Sequence, residues 1–165
     1  MLGYWNLSFN KGFTLIEFTI AITIGMMLIG TGLVSYGDFN KRQTVKTSAQ
    51  ELKNFLRNIQ SKALQGEKPI GVVCTILNGY QITISQASVD AHANCSNGNG
   101  PTESLDAPSN VAFSATQGSF MFKVLGEGVN EQSFINVSGF SSTYQYQLVV
   151  NPGGEVQDNG FIVQP

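Results

Sequence analysis

The chain is poor in groups that do chemistry. Its 165 residues hold one histidine, two cysteines and eleven carboxylates. His92 falls in a polar, turn-rich stretch with no base or orienting partner beside it, so it offers no nucleophile–base–acid arrangement. No H-E-x-x-H, P-loop or dinucleotide fingerprint is present. Asp90, Glu103 and Asp106 flank the same stretch, but their spacing matches no calcium loop. These read as ordinary surface groups, and no catalysis, cofactor or metal is expected.

One carboxylate stands apart. Glu17 is the single charge in residues 13–34, FTLIEFTIAITIGMMLIGTGLV. As a helix this run would be about 33 Å long, close to the ~30 Å hydrocarbon core of a bilayer. A charge at the centre of such a helix costs about 2.5–3.5 kcal/mol, and less near an end. Residues of this kind usually mark function, and Glu17 needs a partner. A secretory signal peptide does not fit, because the run is too long and no small-residue cleavage site follows it. A plain signal anchor leaves Glu17 unexplained.

The residues around that carboxylate form a motif. Lys11-Gly12-Phe13-Thr14-Leu15-Ile16-Glu17 resembles the class III signal of type IV prepilins and type II secretion pseudopilins. The resemblance implies a leader over residues 1–12, cut between Gly12 and Phe13 by a prepilin peptidase. That enzyme then N-methylates Phe13. It also implies that Glu17, the fifth mature residue, neutralises the Phe13 ammonium of a neighbouring subunit and sets axial register. The spacing of four residues, one helical turn, permits that pairing, and a buried ion pair requires such a partner. The leader departs from the pattern in carrying one charge, Lys11, and the helix lacks a proline near Val34. Gly25, Gly30, Gly32 and Gly37 either loosen it or let helices approach closely.

The elements that must carry this segment follow. Residues 13–37 form the transmembrane, assembly half of a helix. Residues 38–66 continue it as an amphipathic half: Val45, Ala49, Leu52, Leu56, Ile59 and Ala63 recur at spacings of three and four. Gly66 and Pro69 stop it. The stripe is expected to pack on the head, the alternative being a helix lying on a membrane surface. Residues 67–165 form the head. Strands are predicted at 70–76 and 80–85 around an Asn78-Gly79 hairpin, then at 111–115, 119–125, 133–137, 144–150, 155–157 and 161–163. Residues 87–109 read as a loop. Tyr144 and Tyr146 share a strand face and are read as packing residues. The fold class is α+β, a long N-terminal helix on a mainly antiparallel β-rich head. The head's style resembles minor pseudopilins of the GspH/FimT type.

Charge is unevenly spread. Seven of nine basic residues, Lys41 to Lys68, follow the apolar run, whereas from Pro69 onward seven acids face the lone Lys123, a net of −6. Either the basic residues form a solvated helix face, or basic and acidic surfaces of neighbouring copies attract. Nucleic acid is not an expected partner of such a head. Cys74 and Cys95 lack metal spacing. They are either bonded, closing a loop worth roughly 3 kcal/mol in an exported head, or two separate thiols.

The functional expectation is a non-enzymatic subunit of a type IV pilus or type II secretion pseudopilus. It sits in the bacterial inner membrane by a single pass, its head periplasmic or extracellular. Its partners are the membrane, the prepilin peptidase/N-methyltransferase, and other pilin or pseudopilin subunits. The alternatives are a tip or minor pilin that binds DNA or an adhesion target, and a signal-anchored exported enzyme.

Overall fold

The structure, a computed structural model, describes residues 14–139 and 143–162, with the side chains of 30–35 excepted. The chain divides into two compact units, Met1–Phe39 and Asn40–Pro165.

The described part of the first unit is helical. Helix α1 runs over Leu15–Gln65, and its first 25 residues belong to this unit. Leu15, Ile16, Phe18, Ile24, Met26 and Met27 are all exposed. The threonine hydroxyls in this apolar stretch are satisfied locally. Thr19 Oγ1 donates to the Ile16 carbonyl at 2.9 Å, and Thr23 Oγ1 to that of Ile20 at 2.8 Å. Among the described residues, no helix is long and apolar enough to cross a membrane. The span expected at 13–34 includes Phe13 and the side chains of 30–34, which lie outside the described residues.

Among the described residues, the second unit combines the rest of α1 with eight strands: β1 Leu77–Ile84, β2 Ser88–Cys95, β3 Gly98–Asp106, β4 Val111–Ala115, β5 Ser119–Lys123, β6 Ser133–Gly139, β7 Tyr144–Val150 and β8 Val156–Ile162. They form two four-stranded antiparallel sheets, ordered β3-β2-β1-β5 and β4-β6-β7-β8. The β4–β5 connection carries the chain from the second sheet to the first. The backbone bond from Ile84 N to Gly118 O (2.8 Å) extends the β1–β5 ladder, and one from Phe113 N of β4 to Gln86 O in the β1–β2 turn (3.1 Å) links the two sheets.

The helical stripe packs as its periodicity requires. Val45, Ala49, Leu52, Leu56, Ile59 and Ala63 are all buried, in one core with Ile82, Phe113, Phe122, Ile135 and Leu148. At Gly139 on β6 the helix comes so near that an added Cβ would lie 2.4 Å from Val45 Cγ2. The helix ends in a Schellman motif. Gly66, at φ +62°, donates to Ala63 O, and Glu67 N donates to Lys62 O.

Several expected elements are corrected. Residues 70–76 are irregular rather than a strand. Pro69 withholds a ladder donor and Gly71 takes a left-handed φ of +81°. Asn78-Gly79 is not a hairpin turn but lies inside β1, at a register shift against β2. The glycine is needed there because a Cβ would meet the Phe122 carbonyl oxygen of β5 at 2.3 Å. Residues 87–109 hold β2 and β3 rather than a loop. Two of the four inward positions of β2 are the small Ala91 and Ala93, beside Val89 and Cys95, so its alternation carries little hydrophobic contrast. The strands expected at 155–157 and 161–163 are one strand, β8, with a register irregularity opposite Gln147 and Leu148 and a left-handed Gly160.

Candidate functional site

The motif's processing residues, Gly12 and Phe13, lie outside the described residues. Glu17 lies in the first turn of α1, and it already has a partner within the chain. Its carboxylate accepts from Thr14 N and from Thr14 Oγ1, each at 3.0 Å, while Glu17 N donates back to Thr14 Oγ1 at 3.3 Å. This is a capping box, Thr-x-x-Glu, which satisfies two of the orphan N–H groups at a helix start. Its signal stands in the sequence, a threonine three residues before a glutamate at the head of an apolar run. It answers part of the question that a carboxylate here poses. These bonds engage Oε2, and among the described residues none engages Oε1; an ionised carboxylate offers about four acceptor sites, enough for a cation as well.

In the second unit four basic residues of α1, Arg42, Lys53, Arg57 and Lys62, are turned to the chain's own sheets. At about 100° per residue, Lys53 and Arg57 fall on one flank of the apolar stripe and Lys62 on the other. Lys53 pairs with Asp158 on β8, and Arg57 Nη2 donates to the Val156 carbonyl at 3.2 Å. Lys62 Nζ bonds both oxygens of Glu103 on β3, at 2.5 and 2.8 Å. The strands β3 and β8 are the outer strands of the two sheets, so the helix is clasped to one edge of each. Farther back, the Arg42 guanidinium lies 5.3 Å from the centroid of the Tyr144 ring. Beyond the helix, Lys68 Nζ donates to Thr75 O at 3.0 Å. Lys53 and Lys62 are thus half-buried and ion-paired rather than merely solvated, whereas Arg42, Arg57 and Lys68 make their contacts while still exposed to solvent.

Cys74 and Cys95 are joined, with Cα atoms 5.5 Å apart. The bond ties the irregular stretch after the helix to the end of β2. Asn97 reinforces it, accepting from Thr75 N at 3.1 Å and donating to the Val73 carbonyl. A single side-chain amide thus stands in for a ladder partner. Neither cysteine spacing nor strand pattern signals this role for Asn97.

The remaining candidates are not brought into a centre. His92 sits within β2, opposite Gln81 of β1 and Thr102 of β3. Asp90 faces Ser104, Asp106 faces Ser88, and Glu103 is paired with Lys62. Among the described residues, no three metal-capable side chains cluster. Tyr146 packs edge-on against Phe161, with ring centroids 5.1 Å apart. Burial raises its hydroxyl pKa above the ordinary value, and the Asp158 charge adds to this. Burial likewise raises that of Tyr80, whose hydroxyl donates to the Glu67 carbonyl at 2.9 Å.

The arrangement of one helix on two antiparallel sheets has a counterpart among solved structures. The minor pseudopilin EpsH from the type 2 secretion system of Vibrio cholerae superposes with a TM-score of 0.51, covering 70% of this chain and 96% of that one, at 9% sequence identity. This chain has a pseudopilin-like fold. No family model and no curated protein sequence matches it. At that identity the likeness lies in architecture. The pseudopilin-like head is thus reached by backbone layout, with side chains almost wholly different.

Proposed function

We propose that the chain is a structural subunit of a type II secretion pseudopilus or a related type IV filament, with no catalytic role. One conjunction supports this reading. The motif Lys11-Gly12-Phe13-Thr14-Leu15-Ile16-Glu17 stands at the start of a helix whose later half belongs to a pseudopilin-like head. The precursor enters the bacterial inner membrane through residues 13–37, leader inside and head outside. A prepilin peptidase cuts between Gly12 and Phe13 and methylates the new amine. The free ammonium of one subunit then meets the Glu17 carboxylate of the next, within a bundle of apolar helices where each charge needs the other. The exposed apolar side chains of residues 15–29 are covered by neighbouring helices in the filament.

A nucleic-acid-binding role is disfavoured by where the cations go, since Lys53, Arg57 and Lys62 bond to the chain's own strands. The test is the mass of the N-terminus after co-expression with a prepilin peptidase. The expected product begins at N-methylated Phe13. Gly12→Leu should leave full-length precursor in the membrane fraction. A chain that still begins at Met1 beside active peptidase overturns the proposal.

A further inference from the structure

The outward face of the second sheet differs from the rest of the head. Its inward positions fill the core, and its outward positions on β4, β6, β7 and β8 carry no ionisable side chain. This occurs on a region with net charge −6. The one carboxylate within these strands, Asp158 of β8, is on the inward side opposite Leu148 and pairs with Lys53; Glu131 and Glu155 lie in flanking turns, one bonded to Gln117 and the other to Gln157 at the margin of the face.

What the face does carry is ordered amide. Asn136, Gln147 and Asn159 come from three adjacent strands and form one hydrogen-bonded row. Asn159 Nδ2 donates to Gln147 Oε1, and Gln147 Nε2 donates to Asn136 Oδ1 at 2.9 Å. Strands lie about 4.8 Å apart, so the row extends for about 10 Å. Each amide nitrogen has two hydrogens and each oxygen two lone pairs. The bonds within the row use only part of that capacity and hold the remainder in fixed directions. Beside the row, Phe134 and its cross-strand neighbour Val149 make an apolar plate, with Phe134 36% exposed.

We propose that this face binds an uncharged polysaccharide. The argument is one of complementarity. An acidic head repels polyanions, and a face whose outward strand positions carry no carboxylate gives cations little hold. Sugar hydroxyls both donate and accept, as the open amide positions do, and the apolar face of a sugar ring suits a phenyl plate. Because the row is ordered before binding, little side-chain entropy remains to be lost. The proposal is independent of the filament reading, since it concerns only the head's outer surface.

The test is electrophoresis of the full-length chain in a zwitterionic detergent, through native gels containing dextran, amylose or galactomannan, with alginate and double-stranded DNA as charged comparisons. At least one neutral polymer should retard the chain. Asn136→Ala/Gln147→Ala should weaken that retardation by about tenfold or more, two lost hydrogen bonds' worth. Asn136→Asp/Gln147→Glu should do the same while keeping shape. Met121→Ala, on the other sheet, should change nothing, and far-ultraviolet circular dichroism confirms that each variant is folded. Absence of retardation by every neutral polymer overturns the proposal. So does retardation that folded row variants retain, or retardation by alginate or DNA alone.

Discussion

Thr14 and Glu17 cap the start of α1 reciprocally, the carboxylate accepting two bonds from the threonine and the threonine hydroxyl accepting one in return. Under the proposed function a second role falls to the same side chain, so that helix initiation within the subunit and charge pairing between subunits would both rest on Glu17. Substitutions separate them. Glutamine can complete a capping box as glutamate does, but it cannot neutralise an ammonium. Glu17→Gln should leave helix content unchanged and abolish incorporation into filaments. Thr14→Ala should cost about 1 kcal/mol of helix stability and leave incorporation largely intact. Circular dichroism in detergent and a sheared-filament assay read the two effects. Normal incorporation of the glutamine variant would remove the charge-pairing role.

Gly139 is where helix and sheet approach most closely among the described glycines of the second sheet. Gly139→Ala places a methyl 2.4 Å from Val45 Cγ2, an overpacking expected to cost about 1–3 kcal/mol. Val45→Ala makes room, at its own cost for lost burial. The double variant should therefore be more stable than the sum of the two losses predicts. Urea denaturation of the four proteins in the cycle gives the coupling, and strict additivity would show that the helix does not rest there.

The bond between Cys74 and Cys95 spans 21 residues of sequence. In the chain-entropy view, closing such a loop is worth about 3 kcal/mol. Cys74→Ser/Cys95→Ser should lower the unfolding midpoint accordingly. It should also expose the stretch around residues 70–76 to protease before the sheets unfold, because hydrogen bonds from Asn97, Lys68 and the Ser96 N–H then hold it without a covalent tie. Limited proteolysis followed by mass spectrometry locates the first cut. A first cut elsewhere would assign the holding role to other contacts.

Tyr80 and Tyr146 both carry hydroxyls whose pKa is raised by burial, with nearby carboxylates adding to the effect. In the folded state they keep their protons to higher pH than in the unfolded chain, whose tyrosines titrate near 10. Their contribution is fully present below about pH 10 and is lost as the pH rises through the folded-state values. Stability measured from pH 8 upward should hold steady and then fall above about 10. Tyr146→Phe should make that fall shallower, and an unchanged slope would exclude Tyr146 as a source.

The helix was readable because six apolar residues at spacings of three and four leave one solution, and the same stripe is the buried one. Strands β4 to β7 were readable for a similar reason, with alternation built from large residues such as Phe113, Phe122, Ile135 and Leu148. β2 and β3 were not, since Ala91 and Ala93 give the inward face little contrast and β3 shows mostly polar, exposed residues. Asn78-Gly79 misled because its glycine serves a close crossing by β5, not a turn. Glu17 stood out in the sequence by its isolation among apolar neighbours, and its bonds to Thr14 follow from the Thr-x-x-Glu spacing. The inward pairing of Lys53 and Lys62 was not legible, because it depends on which acids β8 and β3 bring alongside the helix.

That clasp has a practical consequence for anyone dividing the polypeptide. A fragment beginning at residue 67, where the strand-rich part starts in the sequence, would lose Leu52, Leu56 and Ile59 from its interior and leave Glu103 and Asp158 without their lysines. Such a fragment should precipitate. One beginning near Asn40 retains the whole compact unit and is the piece to express.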